Sequence, residues 1–100
     1  MRIIVTGSNG YLGSNICKYL ENNYNLIKPS RAELYDKNYW QSLTNQKSLI
    51  IHTAAVTGWR RSEEYDSNLS MLSILMDYCS ASGSSILFFS SIHDKGNSAY

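Results

Sequence analysis

Apolar residues fall along this chain in short runs divided by longer amphipathic stretches. Ile3, Ile4 and Val5 form the first run. It has no polar alternation, as expected of a strand buried on both faces of a parallel sheet. Leu12, Ile16 and Leu20 then recur at helical spacing with Tyr19 beside them, and Glu21-Asn22-Asn23 closes that helix. Tyr24 to Lys28 predicts a second strand, stopped by Pro29. A brief helix is expected from Asp36 to Leu43, and a third buried strand from Ser48 to Thr53 around Leu49-Ile50-Ile51. The longest periodic segment runs from Ser62 to Ser82, with Leu69, Leu72, Leu75, Met76 and Cys79 as its expected apolar stripe. Ser62, Glu63 and Glu64 suit the start of that helix and Gly83 its end. Ser85 to Phe89 makes a fourth strand.

The resulting order, β-α-β-α-β-α-β, predicts an α/β fold: a Rossmann-like, doubly wound parallel sheet with helices on both faces. Ligands of such sheets lie beyond the carboxyl ends of the strands. Here those ends are Gly7 to Gly13, Ser30-Arg31, Thr53 to Gly58 and Ser90 to Asp94. Tyr11 at the glycine turn apart, the tyrosines and Met71 or Met76 at helical spacing read as core rather than as cofactor contacts.

Composition narrows the class. One hundred residues, 43% apolar and 17% charged with a net charge of +1, describe one small globular domain over 1–100. No basic patch suggests nucleic acid, and no apolar stretch approaches a membrane span. A strand running directly into a glycine turn is unlike a secretory signal. Cys17 and Cys79 stand singly inside helical patterns and read as buried free thiols of a reducing compartment, the cytoplasm. His52 and His93 lack ligand-spaced partners, so no metal site is expected.

The first strand breaks into Gly7, Gly10 and Gly13 at three-residue spacing. Gly7 permits a turn that is costly for residues with a Cβ, Gly10 leaves room for a ligand, and Gly13 lets the helix pack closely on the strand. A helix starting near Tyr11 aims free N–H groups and a positive dipole end at this turn, which favours a diphosphate. Gly7, Asn9, Gly10, Tyr11, Leu12 and Gly13 are therefore the expected first cofactor contacts. A P-loop is excluded, because the position five after Gly7 is Leu12 with no lysine beside it.

Thr6-Gly7-x-x-Gly10-x-x-Gly13 resembles the nucleotide-binding turn of the extended short-chain dehydrogenase/reductase superfamily, and the likeness runs along the chain. His52-Thr53-Ala54-Ala55 is similar to the segment that borders the cofactor there, and Thr57, Gly58 and Trp59 begin the loop on the nicotinamide or substrate side. The resemblance implies a supporting role for Asn68, a cofactor contact for Ser90, and for Ser91 a hydrogen bond to the substrate oxygen. It implies that Tyr100 is the proton donor of a Tyr-x-x-x-Lys motif whose lysine falls four positions further on. Poising a phenol near neutrality takes roughly three pKa units, about 4 kcal/mol, and the resemblance implies that this lysine lowers the tyrosine pKa. Tyr100 reads alternatively as a plain terminal residue.

At the second strand end, Ser30 and Arg31 stand where an acidic residue would select NAD. A guanidinium there suits the 2′-phosphate of NADP(H), although Arg31 reads equally as a solvated surface residue and NAD stays open. Asp36 is a weaker candidate for the adenine edge. The short interval from Ser91 to Tyr100 resembles that of bacterial nucleotide-sugar reductases of capsule and O-antigen synthesis. The expectation is the amino-terminal cofactor-binding part of a nucleotide-sugar 4-keto reductase, incomplete relative to the family fold and inactive by itself. A sugar-nucleotide epimerase or dehydratase is the nearest alternative, and a non-catalytic dinucleotide sensor is another. The family implies a homodimer built from helices on one sheet face.

Overall fold

The computed structural model describes residues 1–54 and 61–89, the side chains of 61–65 excepted. Its elements are β1 (Arg2–Thr6), α1 (Tyr11–Leu20), β2 (Asn25–Ile27), α2 (Arg31–Leu34), α3 (Lys37–Gln41), β3 (Ser48–His52), α4 (Arg61–Ser82) and β4 (Ser85–Phe88). The four strands form one sheet in the order β2-β1-β3-β4, every pair parallel. β1 and β3 pair along their full length, from Arg2 opposite Ser48 to Thr6 opposite His52.

Side-chain alternation along the two central strands builds a core on each face. Ile4 and Ile50 point to one side, where Leu34 of α2, Trp40 of α3 and Met71, Ile74, Leu75 and Tyr78 of α4 cover them. Ile3, Val5 and Ile51 point to the other, against Cys17 with Ile16 and Leu20 of α1. The sheet is thus wound on both faces. The connection through α1 leads outward to β2, and the next one returns past β1 to β3. The direction of winding reverses between β1 and β3, so a crevice opens at their carboxyl ends.

Three expectations need correction. The segment between β2 and β3 holds two short helices, not one. Ser30 starts α2 with a reciprocal capping box: its Oγ accepts from the Glu33 N–H at 3.2 Å, and the Glu33 carboxylate accepts from the Ser30 N–H at 2.8 Å. Asp36, a candidate for the adenine edge, instead caps α3, with Oδ1 accepting from the N–H groups of Asn38 and Tyr39. On α4 the buried stripe is Met71, Ile74, Leu75 and Tyr78. Leu69 and Met76, expected in the stripe, are 45% and 54% exposed. The helix carries apolar residues around much of its circumference, and only docking decides which of them face the sheet. Gly83 ends α4 at φ +74°, as its placement predicts. Cys17 is buried and Cys79 half-buried, and both are free thiols.

One buried group has no signal in the pattern. Arg2 lies at the amino end of β1, only 6% exposed. It donates to Ser48 Oγ at 2.7 Å, to the Leu43 and Gln46 carbonyls at 2.6 and 2.7 Å, and to the Tyr78 hydroxyl at 3.1 Å. These acceptors offset much of the cost of taking the guanidinium out of water and tie the loop before β3 to the bottom of the sheet.

The corrected stripe predicts opposite outcomes for neighbouring residues in urea unfolding. Leu75→Ala should cost about 2–5 kcal/mol through the cavity it leaves. Met76→Ala should stay within about 0.5 kcal/mol of the parent. Comparable losses at both positions would restore the stripe expected from sequence, which held Leu75 and Met76 alike.

Candidate dinucleotide site

At the carboxyl end of β1 the chain turns through Gly7 at φ +71°, in the left-handed region. The turn is closed by the Gly10 N–H donating to the Gly7 carbonyl at 3.0 Å, and α1 follows with Gly10 as its N-cap. Among the described residues no side chain caps this helix, its N-cap being a glycine. Its first-turn N–H groups, Tyr11 and Leu12 among them, lack intrahelical acceptors by the geometry of any helix start, and the dipole adds positive potential there.

The two outer glycines are required by contact. A Cβ on Gly7 would stand 2.6 Å from Thr53 Oγ1 and 2.8 Å from the Ala54 nitrogen. A Cβ on Gly13 would collide with the Gly7 carbonyl and stand 2.9 Å from Thr53 Oγ1. Gly10 differs: among the described residues only the Gly7 carbonyl oxygen, at 3.3 Å, comes near a Cβ there. The space beside Gly10 is therefore open to a ligand.

That space belongs to a cleft of about 430 Å³. The glycine turn and first helical residues, Gly7 to Gly13, make one wall, with Thr53 and Ala54 from the end of β3 and Arg31 of α2 among the others. The fold thus brings together Gly7, Asn9, Gly10, Tyr11, Leu12, Gly13, Arg31, Thr53 and Ala54. Pro29, Leu34 and Ser8 also line the cleft, although nothing in the sequence singles them out. A proline ending a strand and a leucine at helical spacing carry no ligand signal of their own.

Ser30 is not in the cleft lining. It opens onto an adjoining groove with Lys18 and Lys28, which meets the cleft at Ser8, Asn9 and Pro29. Its Oγ accepts the capping bond from Glu33 and keeps its own proton for another acceptor. Asn68 is half-buried on α4 and does not line the cleft. Ala55, Ser90, Ser91 and Tyr100 lie outside the described residues, as do Thr57, Gly58, Trp59 and His93.

A clasp between β1 and β3 forms the floor. Thr53 Oγ1 donates to the Thr6 carbonyl at 2.6 Å, while the Thr53 and Ala54 N–H groups donate to Thr6 Oγ1 at 3.1 and 3.2 Å. His52 Nδ1 lies 2.6 Å from the same hydroxyl, and its ring meets Phe88 edge-on at 5.8 Å. Burial lowers the His52 pKa below its ordinary value. Among the described residues no group of three or more His, Cys, Asp or Glu side chains could hold a metal ion, and no helix is long and apolar enough to cross a membrane.

A parallel, doubly wound sheet with an uncapped glycine-turn helix at its switch point is a Rossmann-like fold of the NAD(P)-binding type. The chain belongs to the NAD dependent epimerase/dehydratase family, whose family model matches residues 3–99. Among solved structures it is similar to a mutated uronate dehydrogenase, with a TM-score of 0.72 and 21% identity over 97% of this chain. It is also similar to Pal from Bacillus thuringiensis, with a TM-score of 0.72 and 18% identity over 98% of this chain. In each case the chain spans 42% of the other protein's length. At these identities the two structures attest the fold. No curated protein sequence matches the chain.

Substitutions at two glycines should separate packing from ligand space. Alanine in a helix normally gains about 1 kcal/mol over glycine. Gly13→Ala should nevertheless lower the unfolding midpoint, because its Cβ meets the Gly7 carbonyl. Gly10→Val should lower that midpoint less than Gly13→Ala does and abolish dinucleotide binding, measured by calorimetric titration. Unchanged affinity in Gly10→Val would move the ligand away from this turn.

Proposed function

We propose that this chain is the cofactor-binding part, over 1–100, of an NADP(H)-dependent nucleotide-sugar oxidoreductase of the 4-keto reductase type, acting in cell-surface polysaccharide synthesis. The observation that carries the reading is the uncapped tip of α1 opening onto a cleft whose other wall includes Arg31. The helix tip supplies N–H donors and positive potential for the diphosphate. The guanidinium supplies a planar, bidentate partner for a 2′-phosphate. No carboxylate occurs from Lys28 through Arg31, where one would select the free ribose 2′-hydroxyl of NAD. Lys18 and Lys28 line the adjoining groove with Glu21, which leaves it one net positive charge.

In this reading Gly7, Asn9, Gly10, Tyr11, Leu12 and Gly13 seat the diphosphate, while Thr53, Ala54 and Ala55 flank the ribose. Ser30 and Arg31 hold the 2′-phosphate, Asn68 supports the site's backbone, and Ser90 borders the cofactor. The nicotinamide, when bound, supplies the hydride. The residues do the rest: Ser91 orients the sugar oxygen, and Tyr100 passes it a proton. Positioning by a rigid sheet end is the protein's main contribution. In this reading the chain works in the cytoplasm, which agrees with its two free thiols. A second copy of the chain would cover Leu69 and Met76, exposed one above the other on α4.

Arg31→Ala should weaken NADPH about tenfold or more, the equivalent of one lost charge-assisted hydrogen bond, and change NADH little. Titration of both dinucleotides into parent and variant reads this directly. Equal losses would remove Arg31 from the 2′-phosphate. With a panel of keto-sugar nucleotides, the full-length protein should consume NADPH. Dinucleotide binding without turnover would favour a sensor.

A further inference from the structure

The Thr6 hydroxyl is fully buried and has three polar neighbours among the described residues. The Thr53 N–H approaches it at 3.1 Å, the Ala54 N–H at 3.2 Å and His52 Nδ1 at 2.6 Å. A hydroxyl offers two lone pairs and one proton. Backbone N–H groups can only donate, so both face the lone pairs; the Thr53 N–H is shared with the Thr6 carbonyl at 3.3 Å, whereas the Ala54 N–H has the hydroxyl as its described acceptor. The proton then has one destination, the His52 ring. His52 Nδ1 is thereby an acceptor, the imidazole is neutral, and its own proton sits on Nε2. An imidazolium has no acceptor. Once protonated, His52 would bring a donor against Thr6 and compete with Thr53 or Ala54 for a lone pair.

We infer that His52 is a positioning residue of the cleft: by accepting the Thr6 proton it reserves both Thr6 lone pairs for the Thr53 and Ala54 amides, and so holds the wall against which a dinucleotide lies. The inference rests on the dinucleotide reading of the cleft proposed above. Thr53 Oγ1, held by the Thr6 carbonyl in the same clasp, is the atom that a Cβ on Gly7 or Gly13 would meet. The clasp that contains the Thr6 hydroxyl therefore adjoins the glycine turn. The described partners of the ring are Thr6 on β1 and Phe88 on β4, neither of them titratable at these pH values, and no described charge shifts its pKa.

The sign of the pH dependence follows. Burial lowers the folded-state pKa, so the neutral ring is the folded form and its contribution is complete above the unfolded value of about 6.5. The contribution declines as pH falls below that value and through the lower folded one.

The test measures NADP⁺ affinity and amide-exchange protection of Thr53 and Ala54 between pH 8 and 5 in the full chain. His52→Asn puts a carbonyl acceptor that does not titrate beside Thr6, so this variant should keep both properties with a flat pH profile. The parent should lose both as the pH falls through the lowered folded-state pKa of His52. His52→Phe fills the space without an acceptor and should lose Ala54 protection at every pH, with NADP⁺ affinity about tenfold weaker. The role is overturned if His52→Phe keeps parental protection and affinity, or if His52→Asn loses them on acidification as the parent does. Should His52→Phe not fold, the comparison of the parent with His52→Asn decides alone. A parent protein that binds no NADP⁺ at any pH would contradict the dinucleotide reading, while the protection series would still support or overturn the role of His52.

Discussion

The contact between the start of α1 and the end of β1 governs this structure. Gly13 packs so closely on the Gly7 carbonyl and Thr53 that no larger residue fits. This approach fixes the helix tip at the mouth of the crevice between β1 and β3. Each partner of the contact is held in turn: Gly7 by its left-handed turn, Thr53 by its hydrogen bond to the Thr6 carbonyl. A few tenths of an ångström at Gly13 would move the donors of the helix tip relative to the opposite wall. The demand for glycine is thus mechanical at Gly7 and Gly13 and concerns ligand space at Gly10.

The remainder of the fold holds that contact still. β1 and β3 are buried on both faces, and each face is covered by different helices, so the carboxyl ends of the strands sit on a rigid base. At the opposite end Arg2 gathers the loop carbonyls of Leu43 and Gln46. One end of the central strand is therefore fastened by a buried cation, and the other carries the glycine turn. β4 is covered less completely: Ile86 packs into the core, while Leu87 and Phe88 are 48% and 54% exposed.

The parts legible in the sequence are those set by local chemistry. Ile3 to Val5 and Leu49 to Ile51 announce buried strands by their unbroken apolar character, and three spaced glycines after a strand announce the turn. The α4 stripe is not legible in the same way, because Leu69, Leu72 and Met76 compete with Met71, Ile74 and Tyr78, and periodicity alone cannot rank two apolar faces. Ser30 and Asp36 show a second ambiguity. A polar side chain after a strand can serve a ligand or a helix start, and both residues cap helices here. The capping box is nonetheless written in Ser30-x-x-Glu33. Arg2 is illegible, since its acceptors come from Leu43, Gln46, Ser48 and Tyr78, remote in sequence. The partnership of Thr6 with His52 is hidden for the same reason: the two meet only through the register of β1 and β3.

A crystal structure of the protein with bound NADP⁺ examines the central contact most directly. The account predicts diphosphate oxygens within hydrogen-bonding distance of the Tyr11 and Leu12 N–H groups, directly over Gly10. A dinucleotide seated elsewhere, or a diphosphate turned away from the tip of α1, would contradict it.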